Sequence, residues 1–347
     1  MHNVCKCNLS GIFMLISRGI CYFCVLYYIS MLKGSFSHIS SAAKLALFLL
    51  LIIVFMLFSS LAGFVVLMPF LGSGVLNILT SPDYSNPAAI NAMKALQIIN
   101  MVGGLLFPAL IYAWLIRGDR SSDLKLSAFP GSLRLILSAL LIVSAQPFIS
   151  FINGLNGQMQ LPVSMEGLES WMLNMEQQAQ HLTDAFLATT SLPGLALNIF
   201  MIALLPAVTE EIVFRGVLAQ LFRDWTRSKH WAIVISSLVF AGIHLQFYGF
   251  LPRFLLGMSL GYLFFWSGSL WLPVIAHFTN NLLSVIAEFL FRKGTISVNA
   301  DQLGFSDNVL IVIASGIITI AILFYISKLK NKPLVEIGDF NDRKLAR

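Results

Sequence analysis

The sequence predicts an all-α, polytopic membrane helix bundle with about eight transmembrane helices, and three observations predict it. The mean hydropathy is +0.82. Hydrophobic residues make up 57% of the 347 residues and charged residues only 11%. Several apolar runs reach about 20 residues, the length that crosses a hydrocarbon core of about 30 Å. The net charge of +6 does not indicate a nucleic-acid partner, because Lys and Arg lie mostly between and after the apolar runs, where membrane topology places them. The expected surroundings are a lipid bilayer, and no nucleic acid.

Taken in order, residues 1–30 form an uncertain N-terminal extension that contains one additional apolar segment. Residues 11–30 carry Arg18 and lack a small-residue cleavage site, so they do not read as a signal peptide. Met31-Leu32-Lys33-Gly34 reads like a fresh cytoplasmic start. All four cysteines, Cys5, Cys7, Cys21 and Cys24, fall in this extension, so the body of the chain takes neither a disulfide framework nor a Cys metal site from them.

Eight spans are expected beyond Met31, at about 43–71, 97–116, 133–153, 193–219, 232–247, 254–267, 270–291 and 308–327. An even number places both ends on one side. Assigning Lys33, Lys44, the 117–134 loop, the 220–231 loop and the tail to the cytoplasm puts fifteen basic residues inside. Only Lys94, Arg253, Arg292 and Lys293 remain outside. The positive-inside rule therefore predicts both termini in the cytoplasm. The long 154–192 connection carries Glu166, Glu169, Glu176 and Asp184 without Lys or Arg, and spaces Leu168, Trp171, Met172, Met175, Ala179, Leu182 and Phe186 at helical intervals. It reads as an amphipathic helix on the outer membrane surface.

Charge inside a bilayer costs about 2.5–3.5 kcal/mol per group on insertion scales, so intramembrane charges face a bundle interior and mark function by default. Here they cluster. In "PAVTEEIVFRGVL", Glu211 and Arg215 lie one helical turn apart and can pair along one face. Glu210 is rotated by about 100° and lacks that built-in partner, as a general base requires. "FAGIHL" puts Phe240 and His244 on one face, and "PVIAHFTNNLLSV" does the same for His277 and Asn281. A carboxylate and an imidazole can hold and deprotonate water, directly or through a metal, while a second His and an Asn amide donate to an oxyanion. That set suits amide hydrolysis. No His-Glu-x-x-His occurs, so spacing does not infer a metal.

These motifs resemble the CPBP family of intramembrane proteases, the CAAX-protease and bacteriocin-processing group also called Abi. The family pattern of Glu-Glu-x-x-x-Arg, Phe-x-x-x-His and His-x-x-x-Asn/Asp stands here in order as Glu210 to Arg215, Phe240 to His244 and His277 to Asn281. The resemblance covers about residues 193–291, the expected catalytic core. It leaves 31–192 as N-terminal membrane helices with the outer amphipathic segment, and 292–347 as a last membrane helix and basic cytoplasmic tail. It implies an intramembrane endopeptidase in which Glu210 and His244 activate water, His277 and Asn281 form the oxyanion hole, and Glu211 and Arg215 orient the site. It implies a metalloendopeptidase or a metal-free glutamate mechanism. If a metal such as Zn2+ takes part, the candidate ligands are Glu210, His244 and His277.

The expected partner is a membrane-associated protein or peptide substrate, and the expected home is a bacterial inner membrane. The competing readings are a non-catalytic partner-binding or bacteriocin-immunity protein of the same fold, and a transporter. Retention of every polar motif residue argues against the first, since apolar replacements would stabilise a scaffold. The absence of paired broken helices or an inverted repeat argues against the second.

Overall fold

The computed structural model describes residues 31–72, 83–116 and 124–329. The N-terminal extension with its cysteines, Arg117 and Arg120, and the tail lie outside the described residues. Nine helices organise the rest: α1 Ser41–Leu71, α2 Pro87–Ile116, α3 Ser132–Gly157, α4 Glu166–Leu187, α5 Leu192–Thr226, α6 Lys229–Gly242, α7 Phe250–Ser267, α8 Trp271–Arg292 and α9 Val309–Lys328. No strand occurs among the described residues. The protein is an all-α polytopic bundle.

Local chemistry sets the boundaries. The side chains of Ser40, Asn86, Ser191, Ser228 and Asn308 accept hydrogen bonds from backbone N–H groups in the first turns of α1, α2, α5, α6 and α9, which satisfies donors that a helix start leaves orphaned. Gly268, at φ 64°, closes α7 in the left-handed conformation that glycine adopts without strain. Within α2 and α5 the backbone widens into π-helical segments at Met101–Leu106, Ile199–Leu204 and Ile212–Leu218. The first two end two residues before Pro108 and Pro206. A proline has no N–H for the carbonyl four residues back and its ring crowds that oxygen, and a switch to longer-range bonding relieves both.

Among the described residues seven helices are long and apolar enough to cross a membrane, one fewer than the eight spans expected. The difference is α6, whose 14 residues rise only about 21 Å. It packs antiparallel on α7, with His230 against Tyr262 and Ile233 against Gly261. His244 sits in the turn just past its end rather than within a full-length span. His230 of α6 bonds the Tyr262 hydroxyl, and His181 of α4 stacks on Tyr84.

The polar N-terminal half of α4 is exposed, while Met172, Phe186 and Leu187 are buried. Its Trp171 packs on Phe247 and its Glu176 accepts from the Tyr248 N–H. The helix expected on the outer surface is therefore fastened to the turn that follows His244. One core joins Phe48, Tyr112, Leu124, Phe214, Phe240 and Phe264 from α1, α2, α5, α6 and α7. Another joins Leu141, Leu260, Leu263, Leu272 and Ile326 from α3, α7, α8 and α9. On the outside of α1 and α9, Leu57, Phe58, Leu61, Ile317, Ile320 and Phe324 are exposed, a surface that lipid covers without cost.

Close approach of α1 and α2 rests on small residues and one polar cluster. Asn100 Oδ1 accepts from Ser59 and Ser60, and a Cβ added at Gly103 would stand 2.6 Å from Ser59 Cβ. Gly103→Val is therefore expected to destabilise the protein by about 1–3 kcal/mol, read as a lowered Tm in detergent. Gly154→Ala, where an added Cβ meets nothing within 4 Å, should leave Tm unchanged or raise it through the better helix propensity of alanine.

Candidate active site

The site forms where α5, α7, α8 and the end of α6 meet. Glu211 on α5 is 0% exposed and Arg215 1%. As their one-turn spacing predicts, they pair, with Arg215 Nη1 donating to Glu211 Oε1 at 2.8 Å. The same oxygen accepts from His277 Nδ1 of α8 at 2.9 Å. Arg215 Nη2 donates to the Gly257 carbonyl of α7 at 3.0 Å, and its guanidinium lies 5.0 Å from the Phe240 ring centroid. Gly257 allows this approach because it stands against Ser237 and Phe240, where an added Cβ would lie 3.0 Å from Ser237 Cβ. Among the described residues the buried Glu211 Oε2 and Arg215 Nε have no hydrogen-bond partner.

Glu210 faces a different way. Its side chain keeps 14% exposure, and its Oε2 stands 3.9 Å from His277 Nε2, beyond hydrogen-bond length. His244 Nδ1 engages the Phe240 carbonyl at 2.7 Å. A carbonyl only accepts, so Nδ1 carries the proton and the neutral ring has its lone pair on Nε2. Phe240 stands between the two imidazoles, edge-on to both, with centroids 5.1 Å from His244 and 5.9 Å from His277. Glu210 and His277 both act electrostatically on His244.

Asn281 lies one turn beyond His277, and its Nδ2 donates to the carbonyl of Ile202 on α5 at 3.2 Å. That carbonyl is four residues before Pro206, the proline that offers it no N–H. Pro206 is the signal of this contact that the sequence carries. The Gly257 carbonyl that receives Arg215 carries no signal at all, because any residue offers a carbonyl.

The six sequence candidates, Glu210, Glu211, Arg215, His244, His277 and Asn281, thus lie in one neighbourhood. Within it, the hydrogen bonds of His277 Nδ1 and Asn281 Nδ2 go to Glu211 and to the Ile202 carbonyl. Outside this group, Glu288 pairs with Arg292 at 2.7 Å, and Asn280 Nδ2 donates to Asn281 Oδ1 at 3.2 Å. Among the described residues no three His, Cys, Asp or Glu side chains come together as a group able to hold a metal ion. Glu210, His244 and His277 do not form such a group, with Glu210 Oε2 3.9 Å from His277 Nε2. The engaged Nδ1 of each imidazole leaves Nε2 as its open nitrogen.

Residues 192–283 match the family described as type II CAAX prenyl endopeptidase, Rce1-like. The match supports assignment to the CPBP/CAAX protease family and a CAAX-type intramembrane protease fold. The chain is 33% identical over 85 residues to an uncharacterized protein, YpbD, of Bacillus subtilis (strain 168), covering 23% of this chain and 40% of that one. It is 32% identical over 106 residues to an uncharacterized 24.3 kDa protein of Escherichia coli, covering 28% and 48%. The chain thus spans less than half the length of these curated relatives. No solved structure matches.

Removing one partner of a buried ion pair strands the other charge at a cost of about 3–5 kcal/mol. Arg215→Met is expected to destabilise by that amount in detergent unfolding experiments. Adding Glu211→Gln to it should recover part of the loss, since the amide is uncharged and still accepts from His277.

Proposed function

On the premise of a CAAX-type intramembrane protease fold in residues 192–283, we propose that the protein is an endopeptidase that hydrolyses peptide bonds of membrane-associated proteins or peptides. The observation that carries this reading is the division of labour between two adjacent glutamates. Glu211 is fully buried and engaged by Arg215 and His277, whereas Glu210 is partly open and free of strong partners.

A carboxylate of the second kind can bind water and take its proton. His244, with its proton committed to the Phe240 carbonyl, presents Nε2 to the same water. The water oxygen attacks the substrate carbonyl carbon, its proton passes to Glu210, and the resulting oxyanion needs donors. His277 Nδ1–H is committed to Glu211, so His277 donates from Nε2 only as an imidazolium. The Glu211 carboxylate stabilises that cation much as a triad aspartate steadies its histidine. Asn281 supplies the second donor through its amide, part of which is held by Ile202. Collapse of the tetrahedral intermediate expels the amine, which takes the proton from Glu210. Charge develops beside fixed dipoles in a water-poor bundle, where such stabilisation is strongest.

The positive-inside count supports both termini in the cytoplasm of a bacterial inner membrane, provided that α6, which packs antiparallel on α7, carries the chain across as a short eighth crossing; the two relatives above are bacterial. With purified protein in detergent and fluorogenic membrane-anchored peptides, Glu210→Gln and His244→Ala are each expected to lower kcat/KM by about 10²–10⁴. Asn281→Ala should lower kcat by about 10²–10³ with KM little changed. Size exclusion checks folding, and metal content is measured on the same samples. Full activity in folded Glu210→Gln would overturn the assignment. A wild type that cleaves nothing, with variants that still support the host phenotype, would favour a non-catalytic partner-binding role.

A further inference from the structure

Asn280 of α8, whose amide holds Asn281, also lines a cavity of about 370 Å³ between α3, α7 and α9. The cavity is long and apolar. On α7 its lining runs from Pro252 through Leu256 to Tyr262, a rise of about 15 Å, and the facing walls include Leu141, Ile149, Ile320 and Leu323. Small residues on the opposite helices, Ala145 and Gly316, make the room.

One end is charged. Arg253 lines the cavity, and its two Nη groups donate to the carbonyl and Oε1 of Gln246, at 3.2 and 2.6 Å. Both acceptors are neutral. No carboxylate among the described residues lies within ion-pair distance of Arg253. Glu176 acts on it only through space, while its own carboxylate accepts from the Tyr248 N–H. His244 is the other titratable group that interacts with it. The contrast with Arg215, which has Glu211 at 2.8 Å, is sharp. A guanidinium without a counter-ion at the head of an apolar slot inside a membrane bundle is complementary to an anion that carries its own hydrocarbon.

We infer that this cavity binds a free fatty acid drawn from the bilayer, with its carboxylate on Arg253 and its single chain along Ala145, Leu256 and Ile320 toward Tyr262. An apolar substrate side chain would fill the slot without using the cation, and a soluble anion would use the cation without filling the slot. The bound chain touches Asn280, so occupancy reaches the residue beside the candidate oxyanion donor.

The test uses delipidated full-length protein in mild detergent, titrated with myristate and with myristyl alcohol by calorimetry. Wild type is expected to bind myristate saturably and about tenfold tighter than the alcohol. Arg253→Lys should keep that preference, Arg253→Gln should lose it, and Ala145→Phe should lose binding of both ligands. Leu256→Phe serves as a second filling variant should Ala145→Phe fail to fold, as judged by size exclusion. Absence of saturable myristate binding to wild type would overturn the inference. So would an undiminished acid preference in Arg253→Gln, or unchanged affinity in a folded filling variant.

Discussion

A single oxygen, Glu211 Oε1, holds the candidate active site together. It receives Arg215 from its own helix and His277 from α8, and through Arg215 it reaches the Gly257 carbonyl of α7. Three helices are therefore registered against one another by one carboxylate that is inaccessible to solvent. In a bilayer the hydrophobic effect does not drive helices together, so polar registration of this kind decides which residues face one another. The depth of Glu210 and the orientation of the His277 imidazole follow from it. The partnerless Glu211 Oε2 and Arg215 Nε show that the arrangement is not optimised for stability alone, since a half-satisfied buried network costs more than an apolar core.

Much of this was legible in the sequence, because the relevant signals were periodic. The four-residue spacing of Glu211 and Arg215 fixes their pairing. The apolar runs located the long helices, and the spacing of Leu168 to Phe186 located α4. Less legible was anything that depends on which atom faces which. Helical spacing puts His277 and Asn281 on one face, yet cannot tell that Nδ1 of the first seeks Glu211 while the amide of the second seeks Ile202. The shortness of α6 was also hidden, since the apolar run continues past Gly242 while the helix stops there and the chain turns at Leu245 with φ 53°. Residue type carries no marker for that bend.

The prolines supply a physical link between sequence and site. Pro206 follows a π-helical segment and leaves the Ile202 carbonyl short of a backbone donor, and Asn281 donates to that oxygen. Pro108 follows a similar segment in α2, where Gly103 and Gly104 let α1 come close. In both places an interruption that would weaken an isolated helix is compensated by a neighbour. Tertiary structure thus inherits its contacts from local backbone chemistry.

The length of α5 has one more consequence. Its 35 residues extend about 50 Å, well beyond a hydrocarbon core of about 30 Å, and Glu210 stands near its middle. Any peptide bond brought there arrives far from bulk water, and an unsatisfied backbone N–H or C=O at that depth costs several kcal/mol. A segment locked in a regular helix keeps those groups bonded to itself and withholds its carbonyl from attack. Segments already loosened by glycine, proline or serine surrender far less on entry. Selectivity in such a protein would then be written in the ease of local unwinding, rather than in the identity of any one side chain.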